Sequence, residues 1–443
     1  MMQISRFKLS ALAIATAMAC SPAAFATNGY FKHGYGQISE GMGGVGVALP
    51  QDSLAAATNP AGLAFVGNRA DVGMELFNPR RDASLNVGGG PASADSGATL
   101  FLIPEAGFTM NMSGMTMGFA MVANGGMNTR YNSNIFDHAF GGPNGTGAPN
   151  TGTLGVNLSQ MLLLPSVAYK INDSNALGAT LVVGYQRFRA YGLGDFLCFT
   201  ASPACGPNGV PTKPPANDLT NVGDDDAWGA GARLGWTGKI TDSVTLGATY
   251  ASKVYSQKFS KYKELFAGQG AFDIPANYAV GIALKPASNL TLGFDVERIL
   301  YGNVPSIANP VPTANELFGQ APPRFLGTNG GIGFGWKNMT VYKLGVSYDY
   351  SDQWTLRGGF NYGKSPITND QNLFNIVAPG VVEKHLTLGF TFKPSKSNEI
   401  SMSYMHAFRA DQSYSATASN NATYTAKIGM SQNALGASYA WKF

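Results

Sequence analysis

Residues 41–46 read GMGGVG and satisfy the G-x-G-x-x-G pattern of turns that cradle the phosphates of a dinucleotide. Such a turn needs a strand directly before it, a helix after it and an acidic residue about 20 positions further on. The acidic residue nearest to that distance, Asp71, opens a predicted strand instead. We therefore interpret Gly43 and Gly44 as positions where the backbone bends and packs tightly, and we expect no cofactor.

Catalytic or metal chemistry would need clustered nucleophiles, bases or ligands. The histidines His33, His138, His385 and His406 are spread over the chain and share no predicted strand face with a serine and an acid. No G-x-S-x-G sequence occurs, and no histidine or cysteine spacing is typical of a metal site. The sequence predicts a protein that is not an enzyme and holds no metal.

Two polar loop sequences have more local roles. Cys198 and Cys205 are close together, with Pro and Gly nearby, so we expect them to close a small disulfide loop in an oxidising compartment. The acidic run Asp224-Asp225-Asp226 is a possible site for a divalent cation. Solvated loop charge is the interpretation that we favour for this run.

The first 26 residues have the layout of a cleavable secretory signal, with Arg6 and Lys8, an apolar stretch and AFA before Thr27. Cys20 is an alternative lipoprotein acylation site, but Ala17 stands where such sites take Leu, Val or Ile. Removing Arg6 and Lys8 lowers the formal net charge from +4 to +2. A net charge this close to neutral argues against a nucleic-acid partner.

Composition and periodicity indicate an all-β membrane protein. Only 13% of the residues are charged, 56 are Gly, and no apolar run after the signal is long enough for a spanning helix. The C-terminal sequence NALGASYAWKF puts Leu435, Tyr439 and Phe443 on one strand face and Gly436 and Ser438 on the other. The same alternation recurs upstream, which predicts a transmembrane antiparallel β-barrel.

The spacing of turn residues predicts about fourteen strands. Short turns alternate with long loops, as they do in outer-membrane barrels whose turns face the periplasm. The six short turns lie at 111–114, 172–175, 239–243, 285–289, 350–353 and 393–398, and the seven long loops lie around 81–97, 126–160, 192–226, 258–276, 301–340, 364–383 and 410–432.

A barrel of this size is too wide for its own side chains to fill. Residues 27–68 precede the first strand and are too apolar for a solvated tail, so we predict that they form a plug in the lumen of a barrel made by residues 69–443. Asn59 and Pro60 would fix a turn beside Ala61. A water-filled porin, with strand from its N-terminus and an open lumen, is the alternative architecture.

Several stretches resemble the FadL/TodX family of outer-membrane transporters of long-chain fatty acids and aromatic hydrocarbons. They include GMGGVGVALPQDSLAAATNPAGL with its Asn-Pro-Ala motif, DIPANYAVGIALKPASNLTLGFDVERILYG, DQWTLRGGFNYGKSPI and ISMSYMHAF. The resemblance covers most of the mature chain. It implies a fourteen-stranded barrel in the outer membrane of a Gram-negative bacterium, an N-terminal hatch and passive diffusion of a hydrophobic substrate, most simply a long-chain fatty acid. Aromatic hydrocarbons and alkanes stay as alternative substrates.

The resemblance also implies sideways release of the substrate through a kink in the third strand. In this chain the third strand reads MTMGFAMVANGGMNTRY, and its alternation breaks at Asn124-Gly125-Gly126. Glycines inside a strand permit a bulge or kink, so we predict the lateral opening there. Alternatively, these residues simply end the strand.

Inward-facing basic residues are candidates for a substrate head group. They are Arg233, Lys253, Lys343 and Arg357, and each could bind a carboxylate through charge-assisted hydrogen bonds. A ladder of ion pairs with inward acidic residues is the alternative role. Arg187 and Arg189 face outward above an aromatic position, which suits lipopolysaccharide phosphates in the outer membrane. We expect a monomer.

Overall fold

The computed structural model of the chain describes residues 27–88, 90–140, 152–200 and 218–443. The predicted export signal therefore lies outside the described residues. Fourteen strands form the wall: β1 Arg69–Asn86, β2 Phe101–Met112, β3 Met115–Asn128, β4 Gly155–Lys170, β5 Asn175–Tyr191, β6 Asp225–Thr241, β7 Val244–Ala251, β8 Asn277–Ala287, β9 Leu290–Ile299, β10 Met339–Asp349, β11 Trp354–Gly363, β12 Lys384–Ser395, β13 Asn398–Thr417 and β14 Thr423–Lys442.

Each wall strand pairs antiparallel with the next, and β14 pairs with β1 to close the barrel. This closing ladder runs from Arg69 opposite Lys442 to Asn86 opposite Thr425. Two short strands, Pro91–Asp95 and Tyr255–Ser256, add to the edges of β1 and β6. The predicted fourteen-stranded antiparallel barrel is confirmed. Closure satisfies the backbone groups that an open sheet edge would expose to lipid.

The outer face carries the apolar half of the two-residue alternation. Leu234, Leu344 and Leu388 are 58%, 55% and 57% exposed, as residues that meet lipid must be in the isolated protein. Among the described residues, no helix combines the length and the apolar character that a membrane crossing requires.

Several strands are longer than their alternating apolar cores suggest. β13 and β14 each have 20 residues, so most of the region 410–432, predicted as a loop, is strand. This region is rich in Ser, Thr and Tyr, and such a sequence can form paired strands that have no aliphatic face. Hydrophobic alternation therefore marks the depth of the membrane and not the full length of the hairpin.

Short helices occupy the N-terminal segment and the long loops. They are Gln37–Glu40, Ser53–Ala57, Pro60–Gly62, Leu63–Val66, Ile135–Phe140, Gly194–Phe199, Ser260–Tyr262, Ala267–Gly270, Tyr301–Asn303, Pro305–Ala308, Ala314–Leu317, Asn369–Gln371 and Asn372–Asn375. None of them exceeds six residues.

The N-terminal segment, residues 27–68, packs against the inward face of the wall. Its helices contact β1 to β6 and β12 to β14, and residues 42–47 lie against inward glycines of β7 to β11. Gly44 has a φ of +84°, and a Cβ there would lie 1.7 Å from the carbonyl oxygen of His33. Only glycine fits this position, which gives the GMGGVG sequence a packing role.

Candidate functional site

Asn59 anchors the N-terminal segment to the wall. Its side-chain amide donates hydrogen bonds to the carbonyl oxygens of Val47 at 2.7 Å and Trp236 at 2.9 Å, and to the Thr237 hydroxyl at 3.1 Å. Its side-chain oxygen accepts from the amide of Ala61, which caps the short helix that begins at Pro60. The Asn-Pro-Ala sequence thus ties one turn of the segment to β6.

The wall is broken beside β3. The ladder between β2 and β3 ends where Ala106 faces Met121, whereas the ladder between β3 and β4 continues to Asn128 opposite Asn157. That second ladder shifts register between Ala123 and Gly125, so Asn124 is the extra residue of a bulge. Residues 122–128 therefore have a strand partner on one side only among the described strands.

The start of the N-terminal segment pairs with this free edge. The amide of Lys32 donates to the carbonyl oxygen of Asn124 at 3.0 Å, and the amide of Gly126 donates to that of Tyr30 at 3.1 Å. Phe31 and Gly125 form an antiparallel bridge. Residues 30–32 therefore cover the edge that β2 leaves unpaired.

The Asn124 side chain is buried behind the bulge. Its amide donates to the side-chain oxygen of Gln160 at 2.9 Å, and its side-chain oxygen accepts from the hydroxyl of Tyr35 at 2.9 Å. The alternative that residues 124–126 simply end the strand does not hold, since β3 continues to Asn128.

An aromatic cluster holds residues 30 and 31 in place. The ring of Tyr30 lies 5.2 Å from that of Tyr301 and 5.8 Å from that of Trp336, measured between centroids. The Tyr301 hydroxyl accepts hydrogen bonds from the amides of Tyr30 and Phe31 and donates one to the carbonyl oxygen of Asn28. The cover of the free edge is therefore connected to the loop that follows β9.

The long loops enclose a purely apolar pocket. Helices and loops from five separate regions converge on it, so sequence spacing did not reveal it. Its lining consists of Phe136, Val156, Leu193, Phe196, Leu219, Leu265, Leu326, Phe334, Phe374 and Val377. The Phe196 ring packs edge-to-face against the rings of Phe374 and Phe136, with distances of 4.7 and 4.9 Å between ring centroids. The remaining open volume is about 20 Å³, so an apolar ligand must move rings apart to enter.

A buried charge network ties the N-terminal segment to β1. The Lys32 ammonium forms ion pairs with Glu40 and, at 3.2 Å, with Glu75. Burial disfavours the charged lysine, but Glu40, Glu75 and Glu105 together hold the pKa of Lys32 above its ordinary value. Glu105 in turn accepts hydrogen bonds from Gln37 and from the amide of Gly36.

His33 lies beside this network, with its ring stacked on that of His385 at 6.3 Å between centroids. Burial lowers the pKa of His33 to about 4, and the nearby charge of Lys32 adds to the decrease against the opposing effect of Glu75. His33 is therefore neutral at pH 7.

Two of the four basic head-group candidates have acidic partners. Lys343 pairs with Glu297 at 2.9 Å on the lumen face. Lys253 lies just beyond the end of β7, where its ammonium donates to the carbonyl oxygen of Asn303 at 3.0 Å and lies 3.6 Å from Asp273. Neither lines the apolar pocket.

The other two candidates have no ion pair with any described residue. Arg233 is buried and donates to the carbonyl oxygen of Thr58 at 3.1 Å, so it anchors the N-terminal segment. Arg357 donates to the hydroxyl of Thr391 at 2.7 Å and lines a separate cavity at the end of the barrel that carries the short turns.

The predicted disulfide involves a loop that the structure describes only in part. Cys198 is disulfide-bonded, and Cys205, its predicted partner, lies outside the described residues.

The acidic run at the start of β6 pairs with outward-facing arginines of β5. Asp226 and Asp224 form ion pairs with Arg187 and Arg189 at 2.9 and 2.6 Å. The two arginines considered for lipopolysaccharide are therefore paired with two of the three aspartates considered for a cation, and Asp225 accepts a hydrogen bond from the amide of Lys261. Within the described ranges, no group of acidic, histidine or cysteine side chains is arranged to hold a metal.

Comparison with known families gives this barrel its class. Residues 12–443 match the model of the outer membrane protein transport protein family (OMPP1/FadL/TodX). The chain belongs to this family. As a FadL/TodX family member it is an outer-membrane transport protein and not an enzyme, as the sequence indicated.

Curated relatives and solved structures agree with the family assignment. The chain is 24% identical over 432 residues to the long-chain fatty acid transport protein of Escherichia coli O6:H1, with 92% of each chain covered. It is 26% identical over 435 residues to that of Shigella flexneri, covering 92% of this chain and 93% of the relative.

The fold matches two solved channels. The toluene transporter TodX of Pseudomonas putida aligns with a TM-score of 0.65 at 20% identity, covering 93% of this chain and 99% of that one. A FadL homologue of Pseudomonas aeruginosa aligns with a TM-score of 0.67 at 16% identity, covering 94% and 100%. FadL/TodX family transporters carry fatty acids or hydrocarbons, and the structural likeness extends over the whole barrel.

Proposed function

We propose that this protein carries hydrophobic molecules across the outer membrane by facilitated diffusion, with capture in the apolar loop pocket and lateral release beside β3. The break in the wall next to Asn124 is the observation that carries the proposal. A closed ladder would offer no sideways path, whereas here a short backbone segment is the cover.

The lateral route follows from where an apolar molecule is most stable. Transfer of a buried CH2 group from water gains about 0.8 kcal/mol, and hydrocarbon in the bilayer core provides the same environment as an apolar pocket. Movement from pocket to lipid therefore needs no energy source. An exit into the aqueous periplasm would lose this gain.

In this proposal, residues 27–68 are the plug and residues 69–443 are the barrel. The plug is held by Asn59 and by Arg233, so most of it stays fixed while residues 30–32 uncover the edge of β3. Deleting residues 27–68 tests the plug against the porin alternative. Large ion conductance that appears only after the deletion supports a plug, and equal high conductance without it contradicts one.

Long-chain fatty acids are the first candidate substrate, because curated relatives that align over nearly the whole chain are fatty acid transport proteins. Monoaromatic hydrocarbons are the second candidate. The apolar pocket has no polar side chain among its lining residues, so it offers no partner to a carboxylate and suits an uncharged molecule as well as an alkyl chain.

Deletion of Asn124 tests lateral release directly. Removing the extra residue restores a regular register with β4 and lets β3 approach β2 over its whole length. We expect uptake of oleate and toluene by cells lacking other transporters to fall to the background rate. The control Asn124→Ala removes the side-chain bonds but keeps the bulge, and it should retain uptake. Wild-type uptake in the deletion variant would overturn lateral release at this position.

Uptake of the two compounds also separates the substrate candidates. A protein that speeds entry of oleate but not toluene is a fatty acid transporter, and the reverse result assigns it to hydrocarbons. If neither compound enters faster than in cells without the protein, the transport proposal itself fails.

A further inference from the structure

A second cavity, with an open volume of about 180 Å³, lies between the N-terminal segment and the wall. Its polar residues flank the short turns: Asp349 and Thr355 lie on either side of the turn at 350–353, and Lys393 precedes the turn before β13. The cavity therefore opens at the periplasmic end, opposite the apolar loop pocket. It is also the larger of the two cavities.

The charge of this cavity is not balanced. Its lining contains the cations Arg69, Arg357, Lys393 and Lys442 but only two carboxylates. One of these, Glu399, already binds both Arg69 and Lys442, and Arg69 also binds Asp71 behind it. The four cations of the lining thus outnumber its two carboxylates.

Two of these cations lack an anionic partner among the described residues. The guanidinium of Arg357 donates to the Thr391 hydroxyl at 2.7 Å and leaves its remaining N–H groups without a carboxylate within ion-pair distance. Asp349, one of the two acidic residues of the lining, instead accepts from the hydroxyl of Thr355 at 2.6 Å. Lys393 lies two residues after Thr391 on β12, and both residues line the cavity.

The N-terminal segment supplies the apolar part of the lining. Ile38, Met42 and Leu49 line the cavity together with Gln51 of the same segment, whereas the basic residues belong to the wall strands. Cations from the wall and aliphatic side chains from the segment suit a molecule with one anionic head and a hydrocarbon body. The planar guanidinium fork matches a carboxylate better than it matches a neutral oxygen.

We propose that this cavity binds an alkyl carboxylate, with Arg357 and Lys393 as the partners of the head group and Ile38, Met42 and Leu49 against the chain. The inference deepens the proposed function, since it gives a fatty acid a head-group site that the apolar loop pocket lacks. It places that site at the periplasmic end and assigns it to Arg357 and Lys393, not to the candidates Lys253 and Lys343.

Calorimetric titration of the full-length protein in lipid nanodiscs tests the proposal, with hexanoate and hexanol as soluble ligands and empty nanodiscs as the blank. We expect wild type to bind hexanoate more tightly than hexanol. The double variant R357Q/K393Q should bind hexanoate about tenfold more weakly, because it loses charge-assisted hydrogen bonds, and should bind hexanol unchanged. Lys427→Gln removes an exposed lysine elsewhere and should leave both affinities unchanged.

A charge-preserving variant separates binding from packing. R357K keeps the positive charge and should retain most of the hexanoate affinity, whereas equal losses in R357K and R357Q would assign the effect to packing and overturn the proposal. Equal binding of hexanoate and hexanol by the wild type would overturn it as well. These binding results do not depend on transport, so failure of the uptake experiment and failure of this site are distinguishable.

Discussion

The carbonyl oxygen of Tyr30 lies 1.9 Å from the position that a Cβ on Gly125 would occupy. The N-terminal segment therefore touches the free edge of β3 at a residue that tolerates no side chain. The proposed cover of the free edge depends on this contact, because the backbone hydrogen bonds between residues 30–32 and β3 form only at such close approach.

Substituting Gly125 by Ala should displace residues 30–32 from β3. Backbone atoms cannot yield as a flexible side chain can, so we expect a loss of about 1–3 kcal/mol in the free energy of unfolding and faster proteolysis of the N-terminal segment. Gly358→Ala is the matched control, since the nearest atom to its Cβ lies 3.7 Å away. Equal stability and proteolysis of the two variants would show that Tyr30 does not press on Gly125.

Asn59→Ala should release the turn that anchors the segment to β6. The substitution removes the donor to the buried carbonyl group of Val47 and to the part-buried carbonyl group of Trp236. We expect urea unfolding in bilayers to show a loss of at least about 2 kcal/mol. Asn289→Ala, at an exposed turn position, should stay within about 0.5 kcal/mol of wild type. A small effect at both positions would contradict the anchoring role.

Acidification should loosen the N-terminal segment through His33. Its pKa is about 4 in the folded protein against an ordinary value of about 6.5, so the fold favours the neutral ring. This stability is fully present above pH 6.5 and is lost as the pH falls toward and through 4. The difference is on the order of 3 kcal/mol, before the facing groups Lys32, Glu40, Glu75 and His385 respond.

Unfolding of His33→Gln between pH 7 and pH 4 provides the measurement. The variant should lose less stability across this interval than wild type, because it has no proton to gain at this position. His138→Gln removes an exposed loop histidine and should follow the wild-type curve. Identical pH dependence of His33→Gln and wild type would exclude His33 as the titrating group.

Phe196→Ala should open the apolar loop pocket. The ring lines a pocket with about 20 Å³ of open volume, and apolar cavities of about 150 Å³ stay dry and bind benzene. We expect tighter toluene binding by the purified variant, together with a loss of about 3–5 kcal/mol in stability. Phe408→Ala, whose ring is 45% exposed, serves as the control. Unchanged toluene affinity in Phe196→Ala would argue against ligand entry at this pocket.

The sequence predicted the barrel well because its signals are local. Leu435, Tyr439 and Phe443 alternate with small residues at a two-residue period, and short turns at regular intervals count the strands. The irregularity of β3 at Asn124-Gly125-Gly126 could also be predicted, since glycines interrupt that alternation in one strand. The ends of the strands were harder to predict, because β13 and β14 continue as polar strands beyond the apolar core.

The roles of the basic residues depended on contacts between distant parts of the chain. Strand parity alone treats Lys343 and Arg357 as equivalent lumen cations. The pairing of β9 with β10 gives Lys343 its partner Glu297, whereas Arg357 lines a cavity without an ion-pair partner among the described residues. The apolar loop pocket likewise combines Phe136, Phe196 and Phe374 from three separate loops, and no spacing rule connects them.

The sequence by itself therefore determined a fourteen-stranded outer-membrane barrel of the transporter family, because hydrophobic alternation and turn chemistry act between near neighbours in the chain. Only the tertiary structure decided that residues 30–32 cover the edge of β3, that the loop pocket is wholly apolar, and that Arg357 and Lys393 line a cavity without an ion-pair partner among the described residues. These relationships join residues that lie on different strands and loops. They exist only once β14 pairs with β1 and the N-terminal segment is enclosed.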